Sequence, residues 1–102
     1  ETDLILNLPK KAADRTGKLC IRFLNLPRHR IYTPQSIELL KDGEFYKKFP
    51  RLPGNTGEKG EITESCLPVE LKSNQQLTLR IKRADKKKAQ IAIDEISFIP
   101  QK

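Results

Sequence analysis

The most constraining feature of the sequence is a strict alternation of apolar and polar residues on both sides of a short charged segment near its end. Leucine or isoleucine occupies every second position over residues 77–81, and isoleucine does so again over 91–93, after the charged residues 83–89. A period of two indicates a β-strand with one buried face. Two such strands around a short charged loop are typical of an antiparallel hairpin, so we predict one over residues 77–100.

The alternation changes phase within the last predicted strand. The isoleucines before Asp94 have odd numbers, whereas Ile96 and Phe98 have even ones. Because side chains alternate between the two faces of a strand, a change of phase requires an extra residue. We therefore expect a β-bulge at Asp94 and Glu95, or a strand that is apolar on both faces there. Pro100 has no N–H to donate and should end the strand.

Five earlier segments also have strand-like apolar patterns. They cover residues 3–8, 18–24, 36–40, 44–49 and 62–71. Asp42 and Gly43 predict a tight hairpin turn, since this pair accepts positive φ, and Phe45 and Phe49 are the expected anchors of the strand that follows. Pro68 places the fifth segment at a sheet edge or a bulge. Short strands without a long amphipathic helix predict an all-β antiparallel sandwich.

Length and charge restrict the function. The 102 residues suit one domain over 1–102, and because Glu1 is not a natural start we expect a segment excised from a longer chain. The net charge of +7 attracts nucleic acid, acidic or sulfated glycans, or anionic lipids, although solubility alone also accounts for it. The basic residues are spread along the chain without a ribonucleoprotein motif or zinc spacing, which disfavours nucleic acid. The sequence contains no run of about 18 apolar residues, so we expect no membrane span.

The two cysteines leave two alternatives open. Cys20 and Cys66 either form one disulfide in an oxidising compartment or remain as two separate buried thiols. With His29 as the single histidine, they have no recognisable metal-ligand spacing. We predict that neither cysteine is needed for function.

Several short motifs follow one another in an order that resembles a known family. Residues 31–39 read Ile-Tyr-Thr-Pro-Gln-Ser-Ile-Glu-Leu and precede Asp-Gly at 42–43, while Leu-Thr-Leu-Arg-Ile at 77–81 precedes Ile-Asp-Glu-Ile at 93–96. Over about residues 3–99 this order resembles the discoidin-like (coagulation factor five/eight type C) domain. It is most similar to the version appended to bacterial exo-glycosidases such as β-N-acetylhexosaminidases.

The resemblance implies a galactose-binding-like jelly roll that serves as an accessory, glycoside hydrolase-associated domain. It implies carbohydrate as the ligand and a secreted, periplasmic or cell-surface location. Two features depart from the family. Its opening strand and the loop that often binds calcium have no counterpart here, which leaves Glu95, near the last strand, as the one match to a calcium ligand. Arg30 stands where an aromatic residue is common, which disfavours ordinary neutral-sugar binding.

The best candidate binding cluster lies in the loop after the second predicted strand. It consists of Arg28, His29, Arg30 and Tyr32. Sugar recognition uses an aromatic ring for the apolar face of the sugar, and guanidinium groups hold a carboxylate or sulfate with two parallel hydrogen bonds. The alternative is a solvated cationic loop with Tyr32 packed at the rim of the sandwich.

Two other loops carry polar residues that suit a ligand. The Gly-rich loop 53–60 offers Asn55, Glu58 and Lys59, and the segment 83–88 offers a run of basic residues that suits sulfate or phosphate. The alternative for loop 53–60 is an ordinary long connection. The alternative for segment 83–88 is a solvated run of charges that protects a sheet edge from aggregation.

No catalytic constellation is visible, so we do not expect an enzyme. His29 has no nucleophile with an orienting acid nearby in sequence. Asp94 and Glu95 are neighbours on a strand, which places them on opposite faces and makes them a poor acid/base pair for a glycosidase. Glu95 alone does not make a calcium site, because calcium needs six to eight oxygens; the alternative is a carboxylate bonded to backbone amides or to an arginine.

Three functions remain as expectations. The first is a non-catalytic accessory module of a secreted or surface glycan-processing protein, which binds carbohydrate or supports a neighbouring domain of the parent protein. The second is a structural or protein-docking domain without a glycan site. The third is polyanion binding through net positive charge alone.

Overall fold

The computed structural model describes residues 3–52 and 60–101, which form two antiparallel sheets. The strands are β1 (Leu4–Leu8), β2 (Arg15–Asn25), β3 (Ser36–Lys41), β4 (Glu44–Lys48), β5 (Glu61–Leu71), β6 (Leu77–Lys82) and β7 (Ala92–Pro100). Their order is β1-β6-β3-β4 in one sheet and β5-β2-β7 in the other. The helix in the described residues is a 3-10 turn, Pro27–His29. The predicted all-β antiparallel sandwich is confirmed.

The core lies between the sheets and is built from the alternating apolar positions. Its buried members are Leu19, Ile21, Phe23, Ile37, Leu39, Phe49, Leu52, Leu67, Val69, Leu71, Leu77, Leu79 and Ile81. The leucines of β1 pack against this cluster from one edge. Full burial of each such side chain contributes roughly 1.5–3 kcal/mol relative to exposure. The period-two pattern therefore places one face of every central strand in a single shared core.

The hairpin predicted over residues 77–100 is wrong, although both of its strands exist. β6 pairs with β1 and β3, whereas β7 pairs with β2 in the other sheet. The charged segment 83–88 therefore crosses from one sheet to the other. Two strands that follow each other in sequence can bury their apolar faces side by side in one sheet or opposite each other in two packed sheets. Alternation of apolar and polar residues is the same in both arrangements and does not distinguish them.

The predicted bulge in the last strand is confirmed. Arg22 lies opposite Glu95 while Phe23 lies opposite Ile93, which leaves Asp94 as the extra residue. The bulge turns both carboxylates toward one arginine: Arg22 Nε lies 3.5 Å from Asp94 Oδ2, and Arg22 Nη1 lies 3.3 Å from Glu95 Oε2. The expectation that these two side chains face opposite sides of the sheet is therefore wrong.

The β3–β4 hairpin has the predicted turn and one misassigned anchor. Asp42 and Gly43 have φ of 49° and 86°, as this turn requires. Phe49 is buried as expected, but Phe45 is 61% exposed. The register shifts between them, so that Leu39 faces Lys47 and Leu40 faces Phe45. This irregularity reverses the phase of β4 and turns Phe45 outward.

The three-stranded sheet carries the disulfide and the predicted edge proline. Cys20 and Cys66 face each other in the β2–β5 ladder with a Cα–Cα distance of 4.1 Å, and they are bonded. The structure thus decides between the two cysteine alternatives. β5 is an edge strand, with no neighbouring strand on one side. Pro68 has no N–H, but no strand on that side requires one for a ladder hydrogen bond.

Side chains of the other sheet cover the free edge of β5. The Glu70 N–H donates to the Tyr46 hydroxyl at 3.1 Å, the Lys47 ammonium donates to Pro68 O at 2.8 Å, and the Lys41 ammonium donates to Glu70 O. The Lys41 ammonium also lies 3.5 Å from the centre of the Tyr46 ring. These contacts occupy backbone groups that an exposed edge strand would offer to another chain.

The same contacts act on the ionisation of Tyr46. Partial burial raises its pKa, but the hydrogen bond from Glu70 and the charges of Lys41 and Lys47 outweigh that effect. The pKa of Tyr46 therefore lies below its ordinary value of 10.0.

Candidate functional site

Three connections cross between the sheets at one end of the sandwich. They follow β2, β4 and β6, since Asn25 at the end of β2 lies opposite Glu61 and Lys82 at the end of β6 lies opposite Ser36. We call the described part of this surface, residues 26–35, 48–52 and 82–91, the cationic end. Loops at such an end can vary without disturbing the sheets, which makes it a suitable place for a site.

Hydrogen bonds join the predicted binding loop to the predicted charge run and to Gln90, which follows that run. The Gln90 N–H donates to Arg30 O at 2.8 Å, and the Tyr32 N–H donates to Gln90 O at 3.1 Å. The Arg30 guanidinium donates to Lys87 O at 3.3 Å. Two stretches that the sequence offered as separate candidates therefore form one surface.

The binding loop itself is a compact turn with an unfavourable residue at its end. Leu26 pairs with Ile31, and Pro27 opens the 3-10 turn, where its fixed φ suits the conformation. Arg30 ends it in the left-handed region, with φ 61°, and its N–H donates to Pro27 O at 2.9 Å. A non-glycine residue pays about 1–2 kcal/mol for this conformation, and such residues cluster at functional sites.

The predicted cluster is only partly presented to solvent. Arg28, His29 and Arg30 are exposed, whereas Tyr32 is half-buried and tied to Gln90 through its backbone. Tyr32 thus offers part of its ring at most, which weakens the expectation of sugar stacking. The guanidinium groups are the accessible chemistry of this loop.

A cavity of about 580 Å³ lies at the cationic end beside this loop. It is lined by Asp3, Gln35, Lys82, Arg83, Ala84, Asp85, Lys86 and Lys87. Its volume falls in the range of small-ligand sites. Four of its lining residues are cationic and two are acidic, so the local charge favours an anion.

The sequence did not single out Lys82 or Gln35 as site residues. Lys82 is the outward residue of a strand, and Gln35 follows a proline in a loop. They meet because the Gln35 N–H donates to Lys82 O at 2.8 Å, in register with the β3–β6 pairing. The sequence signal for these two residues was weak. Lys82 adjoins the basic run, but Gln35 comes near Lys82 only because β3 pairs with β6, and alternation does not reveal that pairing.

The remaining predicted site residues are Asn55, Glu58, Lys59 and Glu95. Asn55, Glu58 and Lys59 lie outside the described residues. Glu95 lies on the outer face of β7 in the ion pair with Arg22, which matches the arginine-bonded alternative. Calcium at Glu95 stays a prediction.

One group in the described chain has the composition of a metal site. It consists of Cys20, Glu64 and Cys66. Both sulfur atoms are consumed in the disulfide, so neither offers the thiolate that a metal ligand requires. Over residues 3–52 and 60–101, no helix has the length and apolar character needed to cross a membrane.

Comparison of the chain with models of protein families, with curated proteins and with solved structures gave no match.

Proposed function

We propose that the protein is a non-catalytic β-sandwich module that binds acidic carbohydrate through its cationic end. The observation that carries this proposal is the junction of the Arg30 loop with the Lys82–Lys87 cavity through the Arg30–Lys87 contact. Guanidinium and ammonium groups around a small-ligand cavity suit uronate or sulfate groups. Arg30, at the position where the resembled family often has an aromatic residue, favours an acidic ligand over a neutral one.

The proposed setting is a secreted, periplasmic or cell-surface protein that processes glycans, with this module as an accessory domain. The disulfide supports this setting, because disulfides persist in oxidising compartments. The discoidin-like motif order supports the link to glycoside hydrolases.

A docking role without a glycan site is the second candidate, and one surface favours it. A cavity of about 370 Å³ lies on the three-stranded sheet, lined by Gly17, Lys18, Pro68, Ile99, Pro100 and Gln101. Ile99 is 53% exposed there. An apolar surface of this kind suits coverage by a neighbouring domain.

A glycan-array screen at physiological salt, repeated at high salt, tests the proposed function. We expect binding to uronate- or sulfate-bearing glycans that weakens with salt but still discriminates among glycans of equal charge. Binding that follows ligand charge alone would indicate a general polyanion binder. No binding in either condition would contradict the proposal and favour the docking role.

A further inference from the structure

A second cavity adjoins the first across the end of the four-stranded sheet. Its volume is about 280 Å³, and it is lined by Pro34, Gln35, Ser36, Ile37, Lys48, Phe49, Pro50, Arg51 and Leu52. Gln35 lines both cavities. The two cavities therefore adjoin at Gln35, and we call them together the path over the ends of β6, β3 and β4.

Gln35 is held firmly at the junction of the two cavities. Its N–H donates to Lys82 O at 2.8 Å, and the next residue, Ser36, lies opposite Lys82 in the β3–β6 ladder. The Gln35 side chain is exposed, so its amide is placed to hydrogen-bond a ligand that passes from one cavity to the other.

The second cavity also has a positive lining. Lys48 and Arg51 are exposed, and its lining residues include no carboxylate. Glu38, which lies opposite Lys48 in the β3–β4 ladder, forms its ion pair with Arg80 at 3.3 Å instead. Within residues 3–52 and 60–101, no ion pair engages Lys48 or Arg51.

The spacing of the two charged groups is set by the sheet. Lys82 is on β6 and Lys48 is on β4, with β3 between them. Neighbouring strands lie about 4.8 Å apart, so the two side chains start from backbones roughly 10 Å apart. Cationic groups that start this far apart, one in each cavity, suit a chain of several sugars better than a single ring.

Resting on the proposed function, we infer that the cationic end binds the interior of a linear acidic polysaccharide. One anionic group lies in the cavity of Lys82, Lys86 and Lys87, another lies near Lys48 and Arg51, and Gln35 contacts the sugar between them. A nucleic acid is disfavoured because the path offers no open ring for base stacking: Phe49 is 4% exposed and Tyr32 is half-buried.

The test uses calorimetric titration with oligogalacturonates and heparin oligosaccharides of one to ten sugars. We expect affinity to rise steeply with length until the ligand reaches both cavities, and then to level off. The variant Lys48→Ala/Arg51→Ala should lose about three- to tenfold in affinity for the long ligands, as for two exposed charge contacts, while its affinity for the shortest bound ligand is unchanged.

The matched control is Lys11→Ala/Lys72→Ala, which removes the same charge at the opposite end of the sandwich. All these side chains are exposed, and unchanged melting temperatures verify folding. If the second-cavity variant and the control behave alike, or if affinity does not depend on length, the inference is wrong, and the proposed function stands only if the first cavity still contributes to binding.

A separate variant, Lys86→Ala/Lys87→Ala, isolates the proposed function. If it and the second-cavity variant both bind every oligosaccharide like the control variant, the proposed function itself fails. An oligonucleotide of equal charge that binds more tightly than the oligosaccharides would assign the path to nucleic acid and overturn the inference.

Discussion

Arg30 combines an unfavourable backbone conformation with a place in the candidate site. Glycine adopts its φ of 61° without steric cost, but glycine also increases the entropy of the unfolded chain. We expect Arg30→Gly to raise the free energy of unfolding by about 0.5–1 kcal/mol, and to weaken binding of acidic glycans because the guanidinium is lost. Denaturant unfolding and calorimetric titration measure the two effects.

Asn74 supplies the control for this variant. It also has φ of 61°, but it lies at the opposite end of the sandwich. Since asparagine accepts the left-handed region more readily than arginine, Asn74→Gly should gain less stability and leave binding unchanged. Loss of stability in Arg30→Gly would show that the guanidinium contact to Lys87 outweighs the backbone cost.

Tyr46 provides a prediction on pH dependence. Its pKa is lowered in the folded protein, whereas the unfolded chain retains the ordinary value of about 10. The folded protein therefore releases this proton first, and its ionisation adds stability as the pH rises from the folded pKa to about 10. That contribution is lost as the pH falls through the folded pKa.

The measurement needs the second tyrosine removed, because the chain has two. In Tyr32→Phe, the ultraviolet absorbance of the phenolate reports Tyr46 alone, and we expect its midpoint below 10. The comparison of Tyr46→Phe with the unmodified chain then isolates the stability contribution in alkaline solution. A midpoint at or above 10 would contradict the contacts with Glu70, Lys41 and Lys47.

At the scale of elements, the disulfide should matter for stability and not for binding. Cys20 and Cys66 are separated by 46 positions, and a crosslink over such a loop contributes about 4 kcal/mol by restricting the unfolded chain. The bond lies within the β2–β5 ladder, away from the cationic end. We expect Cys20→Ser/Cys66→Ser to lose stability of this order while its glycan affinity is unchanged.

Two measurements check the disulfide. Thiol titration of the denatured, unreduced chain should find no free thiol. Affinity of the double serine variant is then measured at a temperature where its spectrum shows it folded. Two free thiols would contradict the bond, and loss of binding by a folded variant would contradict the prediction that the cysteines are dispensable.

The elements themselves were readable from sequence to different degrees. Apolar patterns located all seven described strands, and the change of phase around Asp94 located its bulge, because both depend on local side-chain direction. The strand partners of β6 and β7 were not readable, since they depend on which apolar faces meet in the core. Phe45 was misassigned because nothing in the sequence near it announces the irregularity at Leu40.

At the scale of the molecule, the candidate site depends on the strand partners of β6 and β7, which the sequence did not reveal. The Arg30 loop and the basic segment after Lys82 were each recognisable from composition, but they are joined only because β7 pairs with β2. The predicted hairpin instead left the basic segment as an isolated tip. The charge pattern thus identified the two segments that form the candidate site. That the two segments contact each other follows from the pairing of strands that are distant in sequence.

The distribution of charge distinguishes a localised site from attraction by net charge alone. Lys86→Glu/Lys87→Glu and Lys11→Glu/Lys72→Glu each replace two positive charges by two negative ones, so each takes the net charge from +7 to +3. The eleven residues of β2 run between the two ends and span about 36 Å. At physiological ionic strength charges are screened over about 8 Å, so the distant pair should have little effect on a ligand at the cationic end.

We therefore expect the Lys86/Lys87 reversal to abolish most binding of an acidic oligosaccharide at 0.15 M salt, and the Lys11/Lys72 reversal to leave it nearly unchanged. At 0.01 M salt the screening length grows to about 30 Å, comparable with the length of the molecule, and the distant reversal should then weaken binding as well. Titrations of both variants at the two salt concentrations measure this. Equal loss in both variants at the higher salt would show that net charge, and not the cationic end, attracts the ligand.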